Sequence, residues 1–171
     1  MIYAAVMGYG TIGSGVAEVL EKNRDVITAR TREEIQVKYI LDLREFPGDP
    51  NEDKVIHDFS VIEQDEDVKI VVETMGGVRP AYDFVKASLL AGKHVVTSNK
   101  ALVAACGTEL LQIARDKGLN FLFEASCGGG IPIIRPLNTS LTADVIDEIS
   151  GILNGTTNYI LSKMESCLLY T

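Results

Sequence analysis

The feature that most constrains this chain is its opening stretch, MIYAAVMGYGTIG. Ile2 to Met7 are a short, almost wholly apolar run, which reads as a buried strand. Gly8, Gly10 and Gly13 follow with the spacing G-x-G-x-x-G, and from Thr11 the pattern turns helical. A buried strand that turns tightly into a helix on such glycines opens a dinucleotide-binding unit. Gly8 makes the turn, Gly10 lets a pyrophosphate approach the backbone, and Gly13 lets helix and strand pack closely. Thr11 and Ile12 start the helix, whose unpaired N–H groups and partial positive charge face the phosphates. Glycines also serve ordinary turns. It is their place between a strand and a helix that gives the triplet its meaning.

The rest of the chain repeats the alternation. Ser14 to Arg30 carries Val16, Val19, Leu20 and Ile27 near helical period and predicts one long helix. Glu33 to Asp42 predicts a second strand that ends on an acid. Asp42 is placed to accept the hydroxyls of an adenosine ribose, or it is a plain strand-end turn residue. Arg44 lies two residues on and suits a 2′-phosphate, so the choice between NAD and NADP stays open. Phe46 to Asp67, with Pro47, Gly48, Asp49, Pro50 and Asn51, predicts an irregular polar loop. Val68 to Thr74 is a third strand, nearly continuously apolar as parallel strands are. It breaks at Met75-Gly76-Gly77, which places Thr74, Met75 and Gly76 at the ligand edge.

Pro80 opens a helix that stops near Ala91, before Gly92. Lys93 to Thr97 is a fourth strand, followed by Ser98, Asn99 and Lys100. Lys100 just past a strand end suits a contact with cofactor or substrate, with helix capping or solvation as the alternative. His94, at the strand's start, reads as structural. Leu102 to Lys117 predicts a helix with a possible interruption at Gly107, and Leu119 to Glu124 a fifth strand. Five strands alternating with helices predict an α/β fold, a Rossmann-type doubly wound parallel sheet. Residues 1–130 would form this NAD(P)-binding domain. Residues 131–171 would begin a second, α+β domain, with a helix over Ile133 to Leu141, a strand over Val145 to Leu153 and a helix from Tyr159.

Composition excludes other classes. The chain has 171 residues, enough for one domain or a little more. A net charge of −8 argues against a nucleic-acid partner. No apolar run approaches the roughly 18 residues that cross a bilayer, and no signal peptide precedes the first strand. Cys106, Cys127 and Cys167 are odd in number and not in CxxC spacing, so a reduced, cytoplasmic setting is expected. With only His57 and His94, a transition-metal cluster is not expected. Glu124-Ala-Ser-Cys-Gly-Gly-Gly-Ile-Pro has two readings, a hinge or a set of carbonyl oxygens for a hard cation such as sodium. Asn154 to Asn158, small and polar before a helix, suits a carboxylate or a simple N-cap.

Read together, these segments resemble the homoserine dehydrogenase family. The stretches that carry the likeness are GYGTIGSGV at 8–16, VVETMGG at 71–77, GKHVVTSNKAL at 92–102, EASCGGGIPII at 124–134 and GILNGTTNYIL at 151–161. The likeness runs from Met1 to about Met164. It implies an NAD(P)-dependent oxidoreductase that interconverts L-homoserine and L-aspartate 4-semialdehyde, on the way to threonine, methionine and isoleucine. It implies that Lys100 is the active-site lysine, and that Thr97, Asn99 and Lys100 border the cofactor. Oxygens of Glu124, Cys127, Gly129 and Ile131 would hold a structural monovalent cation (Na+), which turns the hinge reading toward the cation one. Gly155 and Thr156 would contact the small-molecule substrate.

Two departures stand out. The family often carries an arginine just before the position of Asp42, where this chain has Leu41, with Arg44 as a possible substitute. The family's substrate domain also continues well past Tyr159 and makes a homodimer. It supplies substrate-binding carboxylates and a second lysine. The last residues, Ser166 to Thr171, do not resemble that continuation and read as a truncated or foreign tail. Met1 directly before the first strand argues against an N-terminal fusion. The expectation is therefore a fragment with little turnover of its own. The rival is a non-catalytic NAD(P)-binding module.

Overall fold

The computed structural model describes residues 1–152 and 154–167. Its centre is strand β1 (Ile2–Met7), whose last four residues are buried. β1 lies between β2 (Ile35–Leu41) and β4 (Val68–Glu73), parallel to both. β3 (Val55–Ile56) adds beyond β2, and β5 (His94–Thr97) and β6 (Phe121–Leu122) add beyond β4. The order is β3-β2-β1-β4-β5-β6, all parallel. This is the doubly wound arrangement predicted from sequence, with one strand more. Its order reverses between β1 and β4, where such sheets open a crevice beyond the carboxyl ends of the strands.

Helices cover both faces. α1 (Thr11–Lys22) packs Ala17 against Tyr9 and Ile40. On the other face α4 (Ala81–Leu90) and α5 (Lys100–Asp116) bring Val85, Leu89, Leu102 and Leu110 onto Met7, Val71 and Val95, all fully buried. Burial of an apolar side chain contributes about 1.5–3 kcal/mol, so this face is the main source of stability.

Several boundaries differ from the sequence reading. The long first helix is two, α1 and α2 (Arg24–Thr31), because Asn23 leaves helical geometry between them and serves as the cap of both. Asparagine is a poor residue for a helix interior and a good one for its ends. Arg32, which caps the end of α2, is in left-handed geometry at φ +62°. The loop from Phe46 to Asp67 contains a 3₁₀ turn (Glu52–Lys54), β3 and α3 (Ser60–Gln64). Two residues are too short to show a period, so β3 had no signal of its own. Gly107 does not interrupt α5; it is buried inside it. The fifth strand of the sequence reading shrinks to β6. Its end, Glu124, starts a short helix, α6 (Glu124–Cys127).

Beyond α6 the chain forms α7 (Ile134–Thr139) and α8 (Gly155–Cys167). The helix expected from Tyr159 begins four residues earlier, at Gly155. The strand expected over Val145 to Leu153 is absent from the described residues, since 145–152 are irregular. A strand is a ladder of hydrogen bonds to a neighbour, and no strand lies beside this segment among the described residues. Leu153 itself, and Leu168 to Thr171 of the expected foreign tail, lie outside the described residues.

Candidate cofactor site

At the carboxyl end of β1, Gly8 takes φ +93°, a conformation that favours glycine. A Cβ on Gly8 would also come within 3.0 Å of the Met75 amide nitrogen. Gly13 is more tightly constrained: a Cβ there would stand 1.9 Å from the Gly8 carbonyl oxygen. The same carbonyl accepts a hydrogen bond from the Thr74 hydroxyl at 2.7 Å, which ties the glycine turn to the end of β4. By contrast, a Cβ on Gly10 would meet nothing within 4 Å. Gly10 is the N-cap of α1 and no side chain caps that helix. The first N–H groups of α1 therefore have neither an intrahelical partner nor a capping side chain. A tight turn, an open approach at Gly10 and an uncapped helix start together fit a pyrophosphate.

A cavity of about 520 Å³ opens beside this turn. It is lined by Gly8, Gly10, Asp42, Arg44, Thr74, Met75 and Gly76 among the residues expected from sequence, and also by Leu41, Leu43, His57, Pro80 and Phe84. Thr11 and Ile12 are exposed at the start of α1. The Asp42 carboxylate accepts from the Tyr9 N–H at 2.7 Å, and from the Arg44 N–H, Nε and Nη2, each at 3.0 Å. The Arg44 guanidinium, helped by these amides, holds the Asp42 pKa well below the usual carboxylate range. Asp42 is thus a positioned acid at the end of β2 and more than a turn residue.

Thr97, Asn99 and Lys100 stand one strand further along. Glu73, at the end of β4, is fully buried. It accepts from the Thr97 hydroxyl and from Asn99 Nδ2 (3.4 Å). Asn99 also donates to the Gly77 carbonyl at 2.6 Å and caps α5 by accepting from the Leu102 N–H at 3.1 Å. Lys100, the first residue of α5, is exposed. A buried carboxylate thus fixes the helix start from which Lys100 projects. Burial pushes the Glu73 pKa up, against the lowering effect of its hydrogen bonds. Sequence reasoning did not single out Glu73 or His57. An acid inside an apolar strand, directly before the ligand edge, was the available signal for Glu73. His57 had none, because it reaches the site through the unforeseen β3.

None of the residues expected to hold a cation lines this cavity. Glu124 accepts from the backbone N–H groups of Ile133, Ile134 (2.8 Å) and Arg135 (2.8 Å), and so caps α7 with both carboxylate oxygens. These amides, Ile133 first, lower its pKa. Cys127, the last residue of α6, is exposed, as are Gly129 and Ile131 on the loop that follows it. Among the described residues no three His, Cys, Asp or Glu side chains gather into a metal set. Gly155 and Thr156 are exposed at the start of α8 and are not among the residues that line the cavity. No helix among the described residues is long and apolar enough to cross a membrane.

Known proteins share this arrangement. The family model described as homoserine dehydrogenase, NAD binding domain, matches residues 8–124, and the model described as homoserine dehydrogenase matches residues 132–170. A homoserine dehydrogenase from Synechocystis sp. is 41% identical over 164 residues, which is 94% of this chain and 37% of that protein. One from Bacillus subtilis is 38% identical over 95% of this chain and 38% of its own length. The crystal structure of a homoserine dehydrogenase from Thiobacillus denitrificans superposes with a TM-score of 0.87 at 39% identity, covering 97% of this chain and 39% of that one. The second family match runs to residue 170, past Met164, where the sequence reading ended the likeness. Most of the supposed foreign tail thus falls inside the matched span.

Proposed function

The chain belongs to the homoserine dehydrogenase family, and from that premise we propose that it carries the cofactor half of an enzyme that interconverts L-homoserine and L-aspartate 4-semialdehyde with NAD(P). The chain spans about 37% of the length of the Synechocystis relative, so the activity of the whole enzyme is part of the proposal. The observation that carries it is the glycine turn. Gly13 packs against the Gly8 carbonyl, Thr74 holds that carbonyl, and the uncapped start of α1 is left for a pyrophosphate.

When bound, the nicotinamide supplies the hydride exchanged with the substrate's C4. The residues of this chain bind and orient. Gly8, Gly10, Thr11, Ile12 and Gly13 receive the pyrophosphate, and Asp42 and Arg44 meet the adenosine ribose. Thr74, Met75 and Gly76 line the nicotinamide side with Thr97 and Asn99. Lys100 is the catalytic residue, orienting and polarising the reacting oxygen. Gly155 and Thr156 contact the substrate. Residues 1–130 form the cofactor domain and 131–171 begin the substrate and dimerisation domain of a homodimer in the cytoplasm. A monovalent cation is proposed on the loop of Glu124, Cys127, Gly129 and Ile131. Its ligands would be chiefly carbonyl oxygens, because the Glu124 carboxylate is engaged with amides.

The test is a fluorescence titration of the 171-residue chain with NADH and NADPH, followed by an assay of homoserine oxidation. Cofactor binding without measurable turnover is expected. Absence of binding to either nucleotide overturns the reading, and homoserine-dependent turnover overturns its fragment clause. The rival, a binding module without catalysis, is separated by Lys100→Met in a chain extended to the length of the relatives. Loss of turnover supports the enzyme reading.

A further inference from the structure

Asp42 occupies the position at which an acid ordinarily selects NAD, by accepting the ribose hydroxyls and repelling a 2′-phosphate. In this chain it is unable to do so in the ordinary way. A carboxylate offers about four acceptor sites. The Asp42 oxygens already receive the Tyr9 amide and three N–H groups of Arg44. Two of those are guanidinium N–H groups, from Nε and Nη2, in a bidentate clasp. A guanidinium has five N–H donors, so three remain. The Arg44 side chain is 62% exposed while that of Asp42 is 10% exposed, so the solvent-facing charge at this corner is the positive one. Its carbon also lies 5.1 Å from the centre of the Phe46 ring, which stands edge-on to Tyr9. Arg44 is therefore held by a carboxylate and by an aromatic face rather than left as a free surface side chain.

His57 completes the corner. Its Nδ1 lies 2.6 Å from the Asp42 backbone carbonyl and its Nε2 lies 2.9 Å from Glu45 Oε1. Both partners only accept, so the imidazolium is the form that satisfies both nitrogens. With His57 protonated, two negative and two positive groups offset each other: Asp42 and Glu45 against Arg44 and His57.

We propose that the Arg44–Asp42 clasp, stacked on Phe46 and joined by His57, makes this corner accept NADP(H) as well as NAD(H), with Arg44 as the residue that decides. The clasp cancels the acid's charge, and the remaining guanidinium N–H groups meet a 2′-phosphate. The proposal rests on the reading of the cavity as a dinucleotide site.

The test is equilibrium titration of the chain with NADH and with NADPH, for wild type, Arg44→Gln, Arg44→Lys and His57→Gln, with circular dichroism to confirm folding. The wild type is expected to bind both within about tenfold. Arg44→Gln uncovers Asp42 and is expected to shift the ratio of the two dissociation constants toward NADH by about ten- to a hundredfold. Arg44→Lys, which keeps the charge but loses the bidentate fork, is expected to shift it less, and His57→Gln least. A wild-type ratio beyond about tenfold either way, or the same ratio in Arg44→Gln as in wild type, overturns the inference while leaving the cofactor site intact. Absence of binding to both nucleotides overturns the cofactor reading and the inference with it.

Discussion

The sheet of residues 2–122 and the segment of residues 128–167 are built from similar sequence and end in different states. In the first, six parallel strands bury two apolar clusters whose largest members are fully inaccessible. In the second, no described residue is buried. Val145 is 87% exposed, Ile152 77% and Ile149 65%. Apolar content does not separate the two. Partners do: each strand of the sheet has a neighbour on its ladder, and β1, β2, β4, β5 and β6 each pack against a helix, whereas among the described residues 140–152 joins no strand ladder. Hydrophobic pattern specifies which face is to be buried, and a packed neighbour is what buries it.

The largest expected effect that sharpens this contrast is in the core. Leu110→Ala, inside α5 and fully buried, is expected to cost about 2–5 kcal/mol in urea unfolding. A loss below about 1 kcal/mol would mean that the core of this face does not control stability. Next is Gly13→Ala. Its Cβ would stand 1.9 Å from the Gly8 carbonyl, and the forced separation of α1 from β1 is expected to cost about 1–3 kcal/mol and to abolish nucleotide binding. Unchanged affinity would remove the glycine turn from the site.

Two carboxylates at the same sheet edge give a pH test with opposite signs. Burial raises the Glu73 pKa, so the native state holds that proton more tightly than the unfolded chain does. The stability this confers is complete below the ordinary glutamate pKa of about 4.3 and is lost as pH rises through the raised value. Glu73→Gln carries no such loss, so its stability relative to wild type is expected to grow between pH 4 and pH 8, followed by urea midpoints. A difference that shrinks with pH contradicts the assignment. Asp42 behaves oppositely. Arg44 depresses its pKa, so its contribution is present above the ordinary aspartate value of about 3.9 and fades as pH falls through the depressed value. Asp42→Asn is therefore expected to lose its disadvantage in acid.

The smallest effect is expected in the second region. Ile149→Ser, at an exposed site, is expected to change stability by less than about 0.5 kcal/mol. A cost near that of Leu110→Ala would show that 128–167 is packed as tightly as the sheet.

The sequence was informative where the local pattern and the tertiary answer coincide. The glycine spacing, the apolar β4 and the Gly92 and Gly118 stops each specify a turn or strand without help from distant residues, and those elements lie where the pattern places them. It was silent where two distant segments make one feature. β3 exists because Val55 and Ile56 meet Ile40 and Leu41, and His57 joins the Asp42 corner through that pairing. It misled where a pattern had no partner, as in the strand expected over 145–153. Asp42 and Arg44 were visible as an acid and a base two residues apart. That they are bonded to each other and to the Tyr9 amide follows only from the fold, which brings the end of β2 beside the glycine turn.

The central claim is that the glycine-turn cavity of the sheet is the dinucleotide site and that 140–152 takes no part in binding it. Amide hydrogen exchange of the 171-residue chain, with and without saturating NADPH, tests it directly. The account predicts slowed exchange at Gly8 to Gly13 and Thr74 to Gly77, and unchanged exchange across 140–152. Unchanged exchange at the glycine turn, or slowing centred on 140–152, would contradict it.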